Sequence, residues 1–150
     1  MPVKVQTEDF DLSREVAALR EGDARVGAVA CFIGTVRDLN MGSGVSTLTL
    51  EHYAGMTELA LEDICQQAAQ RFDIYDSLVV HRYGELKPLD QIVLVAVISA
   101  HRSEAFKACE FIMDYLKTQA PFWKKEQTPT GPRWVDSRES DEAAAARWKT

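Results

Sequence analysis

Cysteine is scarce in this 150-residue chain: Cys31, Cys65 and Cys109 are an odd number, spaced 34 and 44 residues apart with no C-x-x-C. That pattern excludes a disulfide scaffold and matches no zinc module. Cys31 lies in an apolar run and Cys109 in a helical pattern, so most of the thiols read as small buried hydrophobes rather than nucleophiles. No stretch approaches the roughly 18 apolar residues of a spanning helix, and the opening MPVKVQTEDF has no apolar core of a leader. The expected compartment is the reducing cytoplasm.

Net positive charge is lacking as well: 17 basic residues face 23 acidic ones, for a formal −6. Nucleic acid and anionic membranes reward the opposite sign, so neither is expected as a general partner. P-loop, G-x-G-x-x-G, H-E-x-x-H and G-x-S-x-G motifs are all missing. His52, His81 and His101 are scattered over three segments and each reads as structural. No metal and no cofactor is expected.

What is present is a core-forming composition, 46% hydrophobic and 27% charged, in a chain of single-domain length. Hydrophobic periodicity organises it. Pro2–Gln6 reads as a short strand and 13–21 as a short helix ended by Gly22. Val26–Val36, rich in small and β-branched residues, reads as a buried strand, and the polar, glycine-rich 38–46 as a loop. Thr47–Tyr53 alternates like a half-buried strand. Beyond Gly55, Thr57 reads as the cap of a helix whose apolar face runs from Leu61 to Phe72. Ser77–Tyr83 is a strand, Gly84–Asp90 a turn, and Gln91–Ser99 (QIVLVAVIS) a strand apolar enough to be buried on both faces.

His101-Arg102-Ser103-Glu104 then opens a helix with Ser103 as the expected N-cap, and Pro121 stops it near Thr118. Segments 122–127 and 133–136 form an expected terminal hairpin, and Ser140 caps an alanine-rich tail helix over 139–150. Consecutive strands mixed with helices argue for an α+β fold rather than a doubly wound sheet. No linker divides the chain, so one domain over 1–150 is expected.

Charge is uneven. Residues 101–138 hold seven basic and five acidic side chains, a local +2 that leaves −8 on the remainder. Four residues inside or near this stretch suit an anion. Arg102 sits where a buried strand hands over to a helix, where free N–H groups and the dipole favour negative charge. Lys117 lies at the same helix's end, and Lys124 follows the bulky Pro121-Phe122-Trp123, surroundings that lower a lysine's pKa by desolvation. Arg37 ends the long strand beside the glycine-rich loop. Each has a plainer explanation: a solvated arginine, a cation favoured at a helix C-terminus, a charged edge strand.

The segments FIGTVRD (32–38), LTLEHYAGMTE (48–58), HRYGEL (81–86), SAHRSEAF (99–106) and FIMDYLKTQAPFWKKE (111–126) resemble, in the same order, the family of molybdopterin synthase large, catalytic (MoaE) subunits. The resemblance implies an α/β-hammerhead fold with an additional small antiparallel β subdomain. It implies a sulfur-transferring enzyme of molybdenum cofactor biosynthesis that converts cyclic pyranopterin monophosphate to molybdopterin by installing a dithiolene. The sulfur would arrive as a thiocarboxylate on the C-terminal Gly-Gly of a small ubiquitin-like partner, and two large subunits would form the central dimer of a heterotetramer. By position it makes Lys117 and Lys124 the catalytic lysines. It assigns substrate binding to Thr35, Val36, Arg37, Lys125, Glu126 and Arg138, with His101 and Arg102 given from across the dimer. Some members carry a basic residue where Thr35 stands. The alternative is a relative that holds the pterin or the partner's tail without turnover.

Overall fold

A computed structural model of the chain describes residues 2–37, 47–128, 131–135 and 139–149; for 123–140 only the backbone pairing is described. The expected 38–46 loop and Arg138 lie outside the described residues. The elements run β1 (Val3–Gln6), α1 (Leu12–Leu19), β2 (Ala28–Thr35), β3 (Thr47–His52), α2 (Met56–Arg71), β4 (Asp76–Arg82), β5 (Gly84–Leu86), β6 (Gln91–Ser99), α3 (Arg102–Gln119), β7 (Phe122–Thr128), β8 (Gly131–Val135) and α4 (Glu139–Ala146). No helix among the described residues is long and apolar enough to cross a membrane.

The strands form two four-stranded sheets. The first has the order β1-β4-β6-β2, with β1 parallel to β4 and the other pairs antiparallel. The second, β5-β3-β7-β8, is antiparallel throughout. The mixture of helices with a mixed sheet is the expected α+β class.

The continuous apolarity of β6 has a direct cause. Val93, Val95 and Val97 enter one core with α2 and α3 residues such as Leu61, Phe111 and Ile112. Leu94 and Ala96, pointing the other way, pack with Phe10, Leu78 and Val80 under Val16 and Leu19 of α1. The first sheet is thus covered on both faces, and β6, like β4, is an interior strand of it. Asp11 starts α1 by accepting from the Arg14 amide at 3.1 Å. The tail helix α4 docks through Trp148, whose ring meets Phe72 and Phe111 edge-on and whose indole N–H donates to Asp114 at 2.6 Å.

Five local expectations are corrected. The strand read over Val26–Val36 begins at Ala28 and is an edge strand, so Val29, Cys31 and Phe32 are exposed. Gly55, at φ +86°, caps α2 in place of Thr57, a conformation glycine adopts without strain. The Gly84–Asp90 turn contains β5, paired with β3. His101, extended at φ −135° and ψ 155°, holds the α3 cap position and leaves Ser103 in the first turn. The tail helix, likewise, begins at Glu139, so Ser140 lies within it.

Candidate active site

The route of α3 decides which candidate residues can meet. It leaves the Ser99 end of β6 and returns along that strand, since the Cys109 thiol contacts the Val95 carbonyl at 3.9 Å. Fifteen residues separate Arg102 from Lys117, which is ~22 Å of helix at 1.5 Å per residue. Lys117, exposed in the last turn, therefore lies level with the Gln91 end of β6.

Gln91 is the register partner of Thr35. The β2 strand shifts register between Gly34 and Thr35, and Val36 then exchanges two hydrogen bonds with the turn before β6. Its N–H donates to the Asp90 carbonyl at 2.8 Å, and its carbonyl accepts from the Leu89 N–H at 2.8 Å. This fixes a buried Val36, 4% exposed, and an exposed Arg37 next to it. Val36 packs with Leu48 and Leu50 of β3. Their β7 register partners are Glu126 and Lys124, with Lys125 opposite Thr49 between them.

Thr35, Val36, Arg37, Lys117, Lys124, Lys125 and Glu126 thus gather where one end of the first sheet meets the second. Among the described residues neither Arg37 nor Lys117 forms an ion pair. Both charges stay available to a ligand. His101 and Arg102, both exposed, stand at the far end. The α3 N-terminus there has no side-chain cap, so its first N–H groups are open to an anion.

The thiols offer no nucleophile to this end. Cys65 and Cys109 are buried and Cys31 is exposed on β2. Burial pushes the Cys109 thiol up to about 12 and also raises Cys65 and Cys31, so none is a ready thiolate at neutral pH. Among the described residues no cluster of His, Cys, Asp and Glu could hold a metal ion. An apolar groove of about 400 Å³ between β2 and α3, lined by Cys31, Phe32, Phe106, Cys109 and Met113 among others, contains none of the candidate cations.

Two buried polar residues near the cluster were not singled out by sequence as part of it. Thr57 reads as a helix cap and His81 as a structural histidine, yet both reach the chain between Lys117 and Lys124. Thr57 contacts Pro121 and His81 stacks on Phe122. The only sequence signal was that both fall inside the family-like segments at 48–58 and 81–86.

The family model described as MoaE protein matches residues 5–119. The molybdopterin synthase catalytic subunit of Ralstonia nicotianae is 66% identical over 146 residues, 97% of this chain and 83% of that one. A solved molybdopterin biosynthesis MoaE protein from Burkholderia ambifaria superposes with a TM-score of 0.86 at 58% identity, covering 99% of this chain and 98% of the other. The crystal structure of molybdopterin synthase from Staphylococcus aureus gives 0.81 at 30% identity, over 88% and 95% of the two chains. On its sequence, its two-sheet fold and these matches, the chain belongs to the MoaE family.

Proposed function

We propose that this chain is the catalytic subunit of a molybdopterin synthase. It transfers sulfur from the thiocarboxylated C-terminus of a small ubiquitin-like subunit to cyclic pyranopterin monophosphate, forming the dithiolene of molybdopterin in the cytoplasm. Its single domain has the α/β-hammerhead arrangement with the antiparallel sheet as the added subdomain.

The observation that carries this reading is the convergence of Arg37, Lys117 and the Lys124–Glu126 stretch on one end of the fold. The reaction brings together two anions, a phosphate-bearing pterin and a thiocarboxylate, and two anions meet only where cations offset their repulsion. Arg37 anchors the phosphate with its planar fork. Lys117 meets the incoming tail, balancing its charge and passing a proton. Lys124 orients the pterin and stabilises the negative charge that develops as sulfur adds, with Lys125, Glu126 and Arg138 continuing the binding surface. The sulfur comes from the partner, so no cysteine of this chain is needed.

His101 and Arg102 complete the phosphate site from a second copy. The ~22 Å of helix between Arg102 and Lys117 keeps them apart within one chain. Val29, Phe32 and Phe106 leave apolar surface open along β2 and α3, with Phe106 62% exposed. A two-fold axis near the middle of that face lays β2 and α3 antiparallel to their copies and brings the partner subunit's Arg102 to the Lys117 end.

The test is Lys117→Ala and Lys124→Ala, each assayed for dithiolene formation with thiocarboxylated small subunit and pterin substrate. Each is expected to lose ~3–4 kcal/mol of transition-state stabilisation, about 10²–10³ in rate. Near-normal turnover by either folded variant refutes that lysine's role.

A further inference from the structure

Lys117 ends a rigid helix and Lys124 lies early in a strand, so their separation is set by the short corner between them. That corner is tight. The Phe122 N–H donates to the Ala120 carbonyl at 2.8 Å, a three-residue turn centred on Pro121, whose ring fixes its backbone φ. Ala120, at φ −76° and ψ 134°, has already left the helix.

Two buried groups from different elements grip this corner. The Thr57 hydroxyl of α2, 0% exposed, donates to the Pro121 carbonyl at 3.1 Å and accepts from the Tyr53 amide at 3.1 Å. Both hydroxyl functions are used, and the bond spans 64 residues of sequence. The His81 ring of β4, 4% exposed, stacks on Phe122 with centroids 3.7 Å apart and planes 17° from parallel. That ring is itself fixed, because its Nδ1 lies 2.8 Å from the Arg82 carbonyl. A carbonyl only accepts, so Nδ1 carries the proton. A buried hydroxyl and a buried imidazole both spent on one three-residue corner are more than apolar packing requires.

We propose that Thr57 and His81 are positioning residues for the reaction: they hold the Pro121–Phe122 corner and so set the separation of Lys117 and Lys124. The inference rests on the catalytic reading of those lysines. It adds that turnover depends on their spacing, while retention of the pterin depends more on Arg37, which another element holds.

The test uses the reconstituted enzyme with thiocarboxylated small subunit and pterin substrate. Thr57→Val keeps the shape and removes the donor to Pro121. Its kcat is expected to fall about 10- to 100-fold, the scale of an ångström-sized misplacement, with KM for the pterin within about twofold. Thr57→Ser restores the hydroxyl and most of the rate. A folded Thr57→Val with wild-type kcat, a loss confined to KM, or a Thr57→Ser no better than Thr57→Val overturns the proposal. If Thr57→Val does not fold, Phe122→Leu and Phe122→Tyr decide it. The leucine loses kcat and the tyrosine, which keeps the ring on His81, retains it; equal rates overturn the proposal. Lys117→Ala and Lys124→Ala run alongside separate the two claims. If both lysine variants stay active, the catalytic reading fails. If they lose activity while Thr57→Val keeps it, the positioning inference alone fails.

Discussion

Arg102 and Lys117 occupy opposite ends of α3, and a site that uses both must draw them from two subunits. Mixing Lys117→Ala with Arg102→Ala tests this with a number attached. Random exchange gives about half mixed dimers, and in each of these one site carries both lesions while the other carries neither. Restored activity is therefore about one quarter of wild type. The background is lower. Removing one charge-assisted bond from Arg102 costs ~1.5–3 kcal/mol, about 10- to 150-fold. Losing Lys117 costs about 10²–10³. The assay is dithiolene formation by refolded or co-expressed mixtures, with mixed dimers verified by differential tagging. If both residues serve a site within one chain, every site in every dimer keeps one lesion, and confirmed mixed dimers show no rise above the parents. That result refutes the shared site.

The apolar face along β2 predicts a concentration effect at its exposed thiol: at an alkaline pH that supplies the thiolate, Cys31 should react with an aromatic disulfide reagent in dilute solution and become protected as dimers form. Cys65 and Cys109, buried, should react only on unfolding. Labelling of Cys31 independent of concentration in confirmed dimers places the interface elsewhere. A pH effect is expected at Asp9. Its carboxyl is held below the ordinary 3.8 first by the Gln91 side-chain amide and then by the Phe10 N–H, with Arg82 adding attraction. A lowered folded pKa stabilises above the unfolded value and is lost as pH falls through the folded one. The stability gap between wild type and Asp9→Asn in urea unfolding should therefore be full near neutrality and close as pH drops below about 4. A gap that does not change with pH contradicts the assignment.

The fold was legible wherever one segment's own pattern decides its environment. QIVLVAVIS is apolar at every consecutive position because β6 has a core on each face, and the alternation of 47–53 tracks buried Leu48 and Leu50. The misreadings share a cause: each depends on a distant neighbour. An apolar strand reads alike in the middle of a sheet or at its edge, so Val29 and Phe32 read as buried. The three residues of β5 become a strand only through β3. Ser103 has the better capping side chain, but the chain bends after β6 and His101, extended at φ −135°, already holds the cap, so the helix starts at Arg102, ahead of Ser103. At the site, Lys117 and Lys124 stood out by their place at a helix end and after Pro121-Phe122-Trp123, the resemblance added their catalytic role, and their setting was legible only as far as that stretch. Thr57 and His81 act through contacts to residues 121 and 122 that no local pattern displays.

The central claim is that this chain performs chemistry on the pterin and does not merely hold it. Reconstitution of the purified chain with a thiocarboxylated small subunit and cyclic pyranopterin monophosphate tests it most directly, with dithiolene formation and consumption of the thiocarboxylate measured together. The account predicts that both sulfurs of the product come from the partner, two thiocarboxylates being consumed per molybdopterin, with no cysteine of this chain modified. A folded chain that binds both ligands and leaves the thiocarboxylate intact contradicts it.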